Sequence, residues 1–88
     1  MINVALLGFG RIGQMHAQNI YLNKTLNLLY VYEKIDKIRK KAKNLYNCKI
    51  EKDYKKIFSD EKVDIIFISS PTNTHIKFIE EGIKYDKT

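Results

Sequence analysis

The sequence predicts an α/β fold: a doubly wound, partial parallel sheet of about four strands in the order 3-2-1-4, with helices on both faces. Three observations carry this. Short apolar runs alternate with stretches of helical spacing, β-α-β-α-β-α-β-α, across all 88 residues. Alternation of this kind gives parallel strands joined by right-handed helical crossovers. The first apolar run ends in three spaced glycines, "GFGRIG" at 8–13. The run "VDIIFIS" at 63–69, with four apolar residues in succession at 65–68, is the strongest buried-strand signal in the chain.

The elements follow in order. "INVALL" (2–7) is the first strand. "RIGQMHAQNIYL" (11–22) is the first helix, with Ile12, Met15, Asn19 and Leu22 at helical spacing and Asn23 as its stop. "LNLLYVYE" (26–33), rich in branched and aromatic residues, is the second strand. Asp36 is the expected cap of a second helix that runs to about Tyr46 and buries Ile35, Ile38, Ala42 and Leu45. "CKI" (48–50) is a brief third strand, and Asp53 caps the short helix of "YKKIFSD". After the fourth strand (63–69), "SPTNT" is a loop and "HIKFIEEGIKY" (75–85) a helix with Ile76, Ile79 and Ile83 inward.

Composition narrows the function. At 44% hydrophobic and 30% charged, 88 residues make one small domain. Such a domain buries somewhat over ~60% of its unfolded surface. The net charge is +6 and the pI about 9.4, a balance that can mark a nucleic-acid or membrane partner. The densest basic run, "KIDKIRKKAK" (34–43), has a helical apolar stripe and no interleaved aromatics. It reads as a solvated helix face, so neither partner is expected. One cysteine, Cys48, forms no intramolecular disulfide or metal cluster and reads as a buried bystander; no metal site is assigned. The N-terminal apolar stretch is too short and lacks the basic leader of a signal peptide, and no run reaches transmembrane length. A reducing, cytoplasmic setting is expected.

Strand, G-x-G-x-x-G and helix in succession form a dinucleotide-binding fingerprint. Gly8 permits a tight turn, Gly10 lets a pyrophosphate approach the backbone, and Gly13 lets the helix pack close to the sheet. The helix N-terminus then offers unpaired N–H groups and partial positive charge to the phosphates. Glu33 follows Gly13 by 20 residues, where an acid bonding the adenosine ribose is expected. Its carboxylate accepts from ribose hydroxyls and repels a 2′-phosphate, favouring NAD over NADP. Lys34 and Lys37 stand close enough to soften that preference. Strands one and four are neighbours whose crossovers run opposite ways, so ligand binds in the crevice between them. "SSPTNTH" (69–75) faces the glycine loop across it. Ser69, Ser70 and Pro71 bring backbone to the cofactor, and Thr72 or Asn73 caps the next helix.

"VALLGFGRIGQMHA", "YVYE" and "VDIIFISSPTNTHIKFIEEGIK" together resemble the N-terminal part of the Gfo/Idh/MocA family. These are Rossmann-like oxidoreductases that include inositol 2-dehydrogenases and glucose–fructose oxidoreductase. Glyceraldehyde-3-phosphate dehydrogenases share the glycine hexapeptide, but an Asn-Asp pair would replace "YVYEK" there. The resemblance covers essentially all 88 residues. It implies that Gly8, Phe9, Gly10, Arg11 and Ile12 hold the pyrophosphate, that Glu33 holds the ribose, and that Ser69, Pro71, Thr72, Asn73 and His75 line the nicotinamide side. It implies NAD as cofactor with NADP as the alternative, and a small polyol or sugar oxidised at a CH–OH group; it leaves a homo-oligomer open.

Family members continue into a fifth strand carrying Glu-Lys-Pro, whose Lys stands at the reacting centre, and then into a substrate domain. Residues 1–88 are therefore expected to be the N-terminal part of a dinucleotide-binding domain, without strands five and six or the substrate domain. No catalytic residue is assigned; His16, on the first helix, reads as structural. The rival readings are a non-catalytic nucleotide-binding module, and another Rossmann enzyme such as a methyltransferase, in which "SSPTNTH" has no evident purpose.

Overall fold

A computed structural model describes residues 1–70 and 75–88. Its strands are β1 Ile2–Leu7, β2 Leu26–Tyr32, β3 Lys49–Glu51 and β4 Ile65–Ile68. They form one parallel sheet in the order β3-β2-β1-β4, as the alternation predicts. The helices are α1 Arg11–Leu22, α2 Asp36–Tyr46, α3 Tyr54–Phe58 and α4 His75–Lys84. No helix among the described residues is long and apolar enough to cross a membrane.

β1 lies between β2 and β4 and is buried from Val4 onward, with Ala5, Leu6 and Leu7 fully buried. Its alternate side chains feed two cores, because successive residues of a strand point to opposite faces. Val4 and Leu6 join Phe9, Ala17, Ile20, Leu28, Val31, Ala42 and Cys48 on the side of α1 and α2. Ala5 and Leu7 join Tyr32, Ile57, Phe58, Val63 and Phe78 on the side of α3 and α4.

β2 does not alternate cleanly. Val4 pairs with Leu28, but Ala5 pairs with Tyr30, so Leu29 is one residue more than β1 supplies. A shift of one residue exchanges the two faces of a strand. The extra residue therefore brings Leu28 and Val31 into the same core and sends Leu29, Tyr30 and Tyr32 to the other.

The helices bury other faces than their largest apolar residues suggest. In α1 the buried residues are Gly13, Ala17 and Ile20, while Ile12, Met15 and Leu22 are 61%, 56% and 67% exposed. The small residues are inward because they let the helix axis lie close to the sheet. In α4, Phe78 is buried and Ile76, Ile79 and Ile83 are outward. Phe78 enters an aromatic cluster with Tyr32, Tyr54 and Phe58, and Gly82, one turn on, lies against the Phe58 ring. That stripe has the same period as the isoleucines and fits the sheet better. In α2, Ala42 is buried and Ile38 packs against the core, but Ile35 and Leu45 are exposed. Asp36 does not cap α2: Ile35 occupies the cap position, and Asp36 sits in the first turn paired with Arg39 and Lys40.

Other local readings hold. Asn23 ends α1, and the Asp53 carboxylate accepts from Lys55 N at 3.0 Å to cap α3. Cys48 is buried, and burial pushes its thiol pKa up.

The packing of α1 is testable by a pair of truncations. Ile20→Ala should cost about 2–5 kcal/mol, and Met15→Ala should change stability by no more than about 0.5 kcal/mol. Urea unfolding of the two variants checks this; the reverse order would mean that α1 is rotated.

Candidate functional site

The three glycines of the β1–α1 turn meet three different demands. Gly8 has φ +107, a conformation that L side chains rarely adopt, and a Cβ there would lie 2.8 Å from Ser70 N. It is glycine because the ends of β1 and β4 nearly touch. At Gly13 a Cβ would lie 2.3 Å from the Gly8 carbonyl oxygen; it is glycine because α1 starts against the turn. At Gly10 a Cβ would meet nothing within 4 Å, and φ is an ordinary −72. The fold does not require glycine at that position.

Gly10 opens on a cleft of about 640 Å³. The turn and the start of α1 line it with Gly8, Gly10, Arg11, Ile12 and Gly13; the β2–α2 connection adds Glu33 and Ile35, and the first turn of α2 adds Ile38; the end of β4 adds Ser69 and Ser70. Eight of the thirteen residues singled out from the sequence thus meet in one cleft. Pro71, Thr72 and Asn73 lie outside the described residues.

Phe9 and His75 are placed otherwise. The Phe9 side chain is fully buried and meets Tyr46 edge-on, with ring centroids 6.4 Å apart. What Phe9 contributes to the turn is backbone. Its N–H donates to Glu33 Oε1 at 3.0 Å, and its carbonyl accepts from Gln14 Nε2 at 3.2 Å. His75 Nε2 lies 2.7 Å from the Ser70 carbonyl oxygen. A carbonyl only accepts, so Nε2 carries the proton and the ring braces the backbone at Ser70. His16 packs on Phe67 with ring centroids 4.7 Å apart.

The cleft has the chemistry of an anion and ribose site. The first N–H groups of any helix lack intrahelical partners. At α1 no side chain caps them, the first turn holds no acid, and Arg11 stands beside them. Partial positive charge is left uncompensated at the bottom of the cleft. On the β4 side Ser69 Oγ is buried with no hydrogen-bond partner among the described residues, so a donor and acceptor stand ready. On the β2 side Glu33 Oε1 and Oε2 accept from Phe9 N and Ile35 N. Each carboxylate oxygen has a second lone pair, so the group can still accept from a hydroxyl. These residues fit a dinucleotide: N–H groups for the pyrophosphate, a carboxylate for a ribose, and Ile35 and Ile38 as an apolar wall for a flat ring. The sequence reading missed that wall, placing both isoleucines only on the apolar face of α2; Ile38 does pack against the core, and the closeness of Ile35 to Glu33 was the available signal. It also missed Gln14 and Arg39, whose hydrogen bonds hold the turns.

The fold and cleft define a dinucleotide-binding α/β domain. The chain belongs to the Gfo/Idh/MocA family, an oxidoreductase family with an NAD-binding Rossmann fold, whose model matches residues 2–88. It is 31% identical over 87 residues to an uncharacterised oxidoreductase, YrbE, of Bacillus subtilis, covering 98% of this chain and 26% of that protein. It is 30% identical over 80 residues to a myo-inositol 2-dehydrogenase of Thermotoga maritima, covering 89% and 24%. The structure superposes with a TM-score of 0.92 on scyllo-inositol dehydrogenase of Lactobacillus casei with bound NAD(H) and scyllo-inositol, at 25% identity, covering 99% of this chain and 26% of that one. The chain spans about a quarter of the length of these relatives.

The division of labour among the glycines predicts a stability pattern. Gly13→Ala should destabilise by about 1–3 kcal/mol or more through overpacking, and Gly8→Ala by a comparable amount through backbone strain. Gly10→Ala should stay within about 0.5 kcal/mol of the unsubstituted protein. Thermal unfolding distinguishes the three.

Proposed function

We propose that residues 1–88 are the N-terminal part of the dinucleotide-binding domain of an NAD-preferring oxidoreductase acting on the CH–OH group of a sugar or cyclitol. The observation that carries this is Gly10. Its lack of a side chain serves no packing demand, and a ligand approaching the backbone supplies the missing reason. The inositol dehydrogenases among the relatives support the substrate class. Roughly three quarters of the relatives' length lies outside the match, which leaves room in a full-length parent for the rest of the dinucleotide-binding domain and a substrate domain.

In this reading the α1 N–H groups, Gly10 and Arg11 hold the pyrophosphate, with Gly8 and Gly13 shaping the turn. Ile12 flanks the same group, and Phe9 anchors the loop from behind. Glu33 accepts from the adenosine ribose and disfavours a 2′-phosphate by charge, with Ile35 and Ile38 against the adenine. Ser69, Ser70, Pro71, Thr72 and Asn73 border the nicotinamide half, and His75 supports them through Ser70. NAD held by these residues would supply a hydride acceptor for a carbinol carbon, and this chain's share of the work would be to bind and orient the nucleotide. A reducing, cytoplasmic setting is part of this reading and accords with the oxidoreductase family match.

Two substitutions test the reading. Gly10→Val should abolish NAD binding with the far-UV circular dichroism unchanged. Glu33→Ala should weaken NAD by roughly 1.5–3 kcal/mol, the worth of hydrogen bonds to a charged group, with NADP losing less. Calorimetry that finds NADP tighter than NAD in the unsubstituted protein would overturn the role given to Glu33. Unaltered affinity in Gly10→Val would remove the glycine turn from the site.

A further inference from the structure

We propose that Arg39 is the residue that positions Glu33 for the adenosine ribose, and so sets the choice between NAD and NADP. The inference rests on the role given to Glu33 above.

Arg39 differs from the lysines around it. Its side chain is only 11% exposed, against 68% for Lys40 on the same turn of helix. The guanidinium is turned back under the β2–α2 connection. Nη1 donates to the Glu33 carbonyl at 2.8 Å and to the Lys34 carbonyl at 3.4 Å, and Nη2 donates to Asp36 Oδ1 at 2.5 Å. A single planar fork thus ties together residues 33, 34 and 36. Within that held connection, Ile35 N–H donates to Glu33 Oε2 at 3.2 Å, while Phe9 N–H holds Oε1 from the glycine turn. The carboxylate is gripped at both oxygens, and one of the two grips belongs to the segment that Arg39 shapes.

An arginine so near a ribose site invites the opposite reading, that it receives a 2′-phosphate. The geometry points the other way: both terminal nitrogens are engaged, with three acceptors between them, and its side chain is nearly covered. Lys34 and Lys37, close to Glu33 in sequence, are exposed and available to meet a phosphate. Lysine is no substitute at 39, because one ammonium cannot span acceptors that a guanidinium fork reaches together. Loss of the fork frees the connection, lets the Glu33 carboxylate leave its place in the cleft wall, and leaves the lysines where they are. The ribose hydroxyls lose their acceptor, and a 2′-phosphate loses its repulsion.

The test is fluorescence titration of the purified protein with NADH and with NADPH, comparing Arg39→Met, which keeps the apolar stem, and Arg39→Lys, which keeps stem and charge. Arg39→Met should weaken NADH about tenfold, the worth of a charge-assisted hydrogen bond, and move NADPH by less than about threefold. Arg39→Lys should recover only part of the NADH loss. Equal weakening of both nucleotides, or an unmoved NADH-to-NADPH ratio, would overturn the positioning role. If circular dichroism shows Arg39→Met to be unfolded, Arg39→Lys decides alone, with the ratio expected to fall about threefold. An unsubstituted protein that binds neither nucleotide would defeat the reading of the cleft itself. Binding with an unmoved ratio in the variants would defeat only the role of Arg39.

Discussion

The contact on which the structure depends is the approach of Gly13 to the Gly8 carbonyl, where a methyl group would come within 2.3 Å. It brings the start of α1 against the end of β1 at the point where β4 also arrives, with Ser70 over Gly8. Strand pairing alone would make a parallel sheet. This three-way approach turns its upper edge into a cleft, because α1 lies low enough for its first N–H groups to face the opening. It also explains why α1 presents Gly13 and Ala17 to the sheet and leaves Ile12 and Met15 outside.

A second constraint is the Glu33 carboxylate, which joins two loops that strand geometry does not join. One oxygen holds the glycine turn and the other the β2–α2 connection. The one-residue irregularity at Leu29 prepares this: it places Val31 in the α1–α2 core, and Glu33, two residues on, follows in the same phase. Asp36, Arg39 and Lys40 then complete the connection from the helix side. The Asp36 carboxyl sits below its ordinary pKa, chiefly through its hydrogen bond with Lys40, so this support persists to acid pH.

Much of the fold was legible because its signals are local. Runs such as "VALL" and "IIFI" announce strands by apolar continuity, and the strand order follows from crossover rules once the alternation is seen. The glycine turn and Glu33 were legible because their spacing is set by one βαβ unit. The inward faces of α1 and α4 were not. In each helix two stripes share one period, and the sheet accepted the stripe with a glycine in it, Gly13–Ala17–Ile20 and Phe78–Gly82. Hydropathy ranks residues by size of apolar surface and so favours the isoleucines that remain outside. Phe9 escaped for a related reason: a residue flanked by two glycines in a loop carries no periodic signal of burial. The part of the cleft wall contributed by Ile35 was hidden because an apolar residue at a helix start reads as core whichever space it faces.

The burial of Phe9 has a thermodynamic consequence. Loops that meet ligands are commonly ordered only on contact, and the lost freedom is subtracted from affinity. With Phe9 sunk among Tyr46, Leu6 and Val31, the turn between Gly8 and Gly10 is ordered by the same hydrophobic collapse that forms the α1–α2 core. Its entropy is spent when the domain folds, long before any ligand arrives. Association should then need no opening step, and the mobility of this turn should follow the melting of the core rather than the occupancy of the cleft.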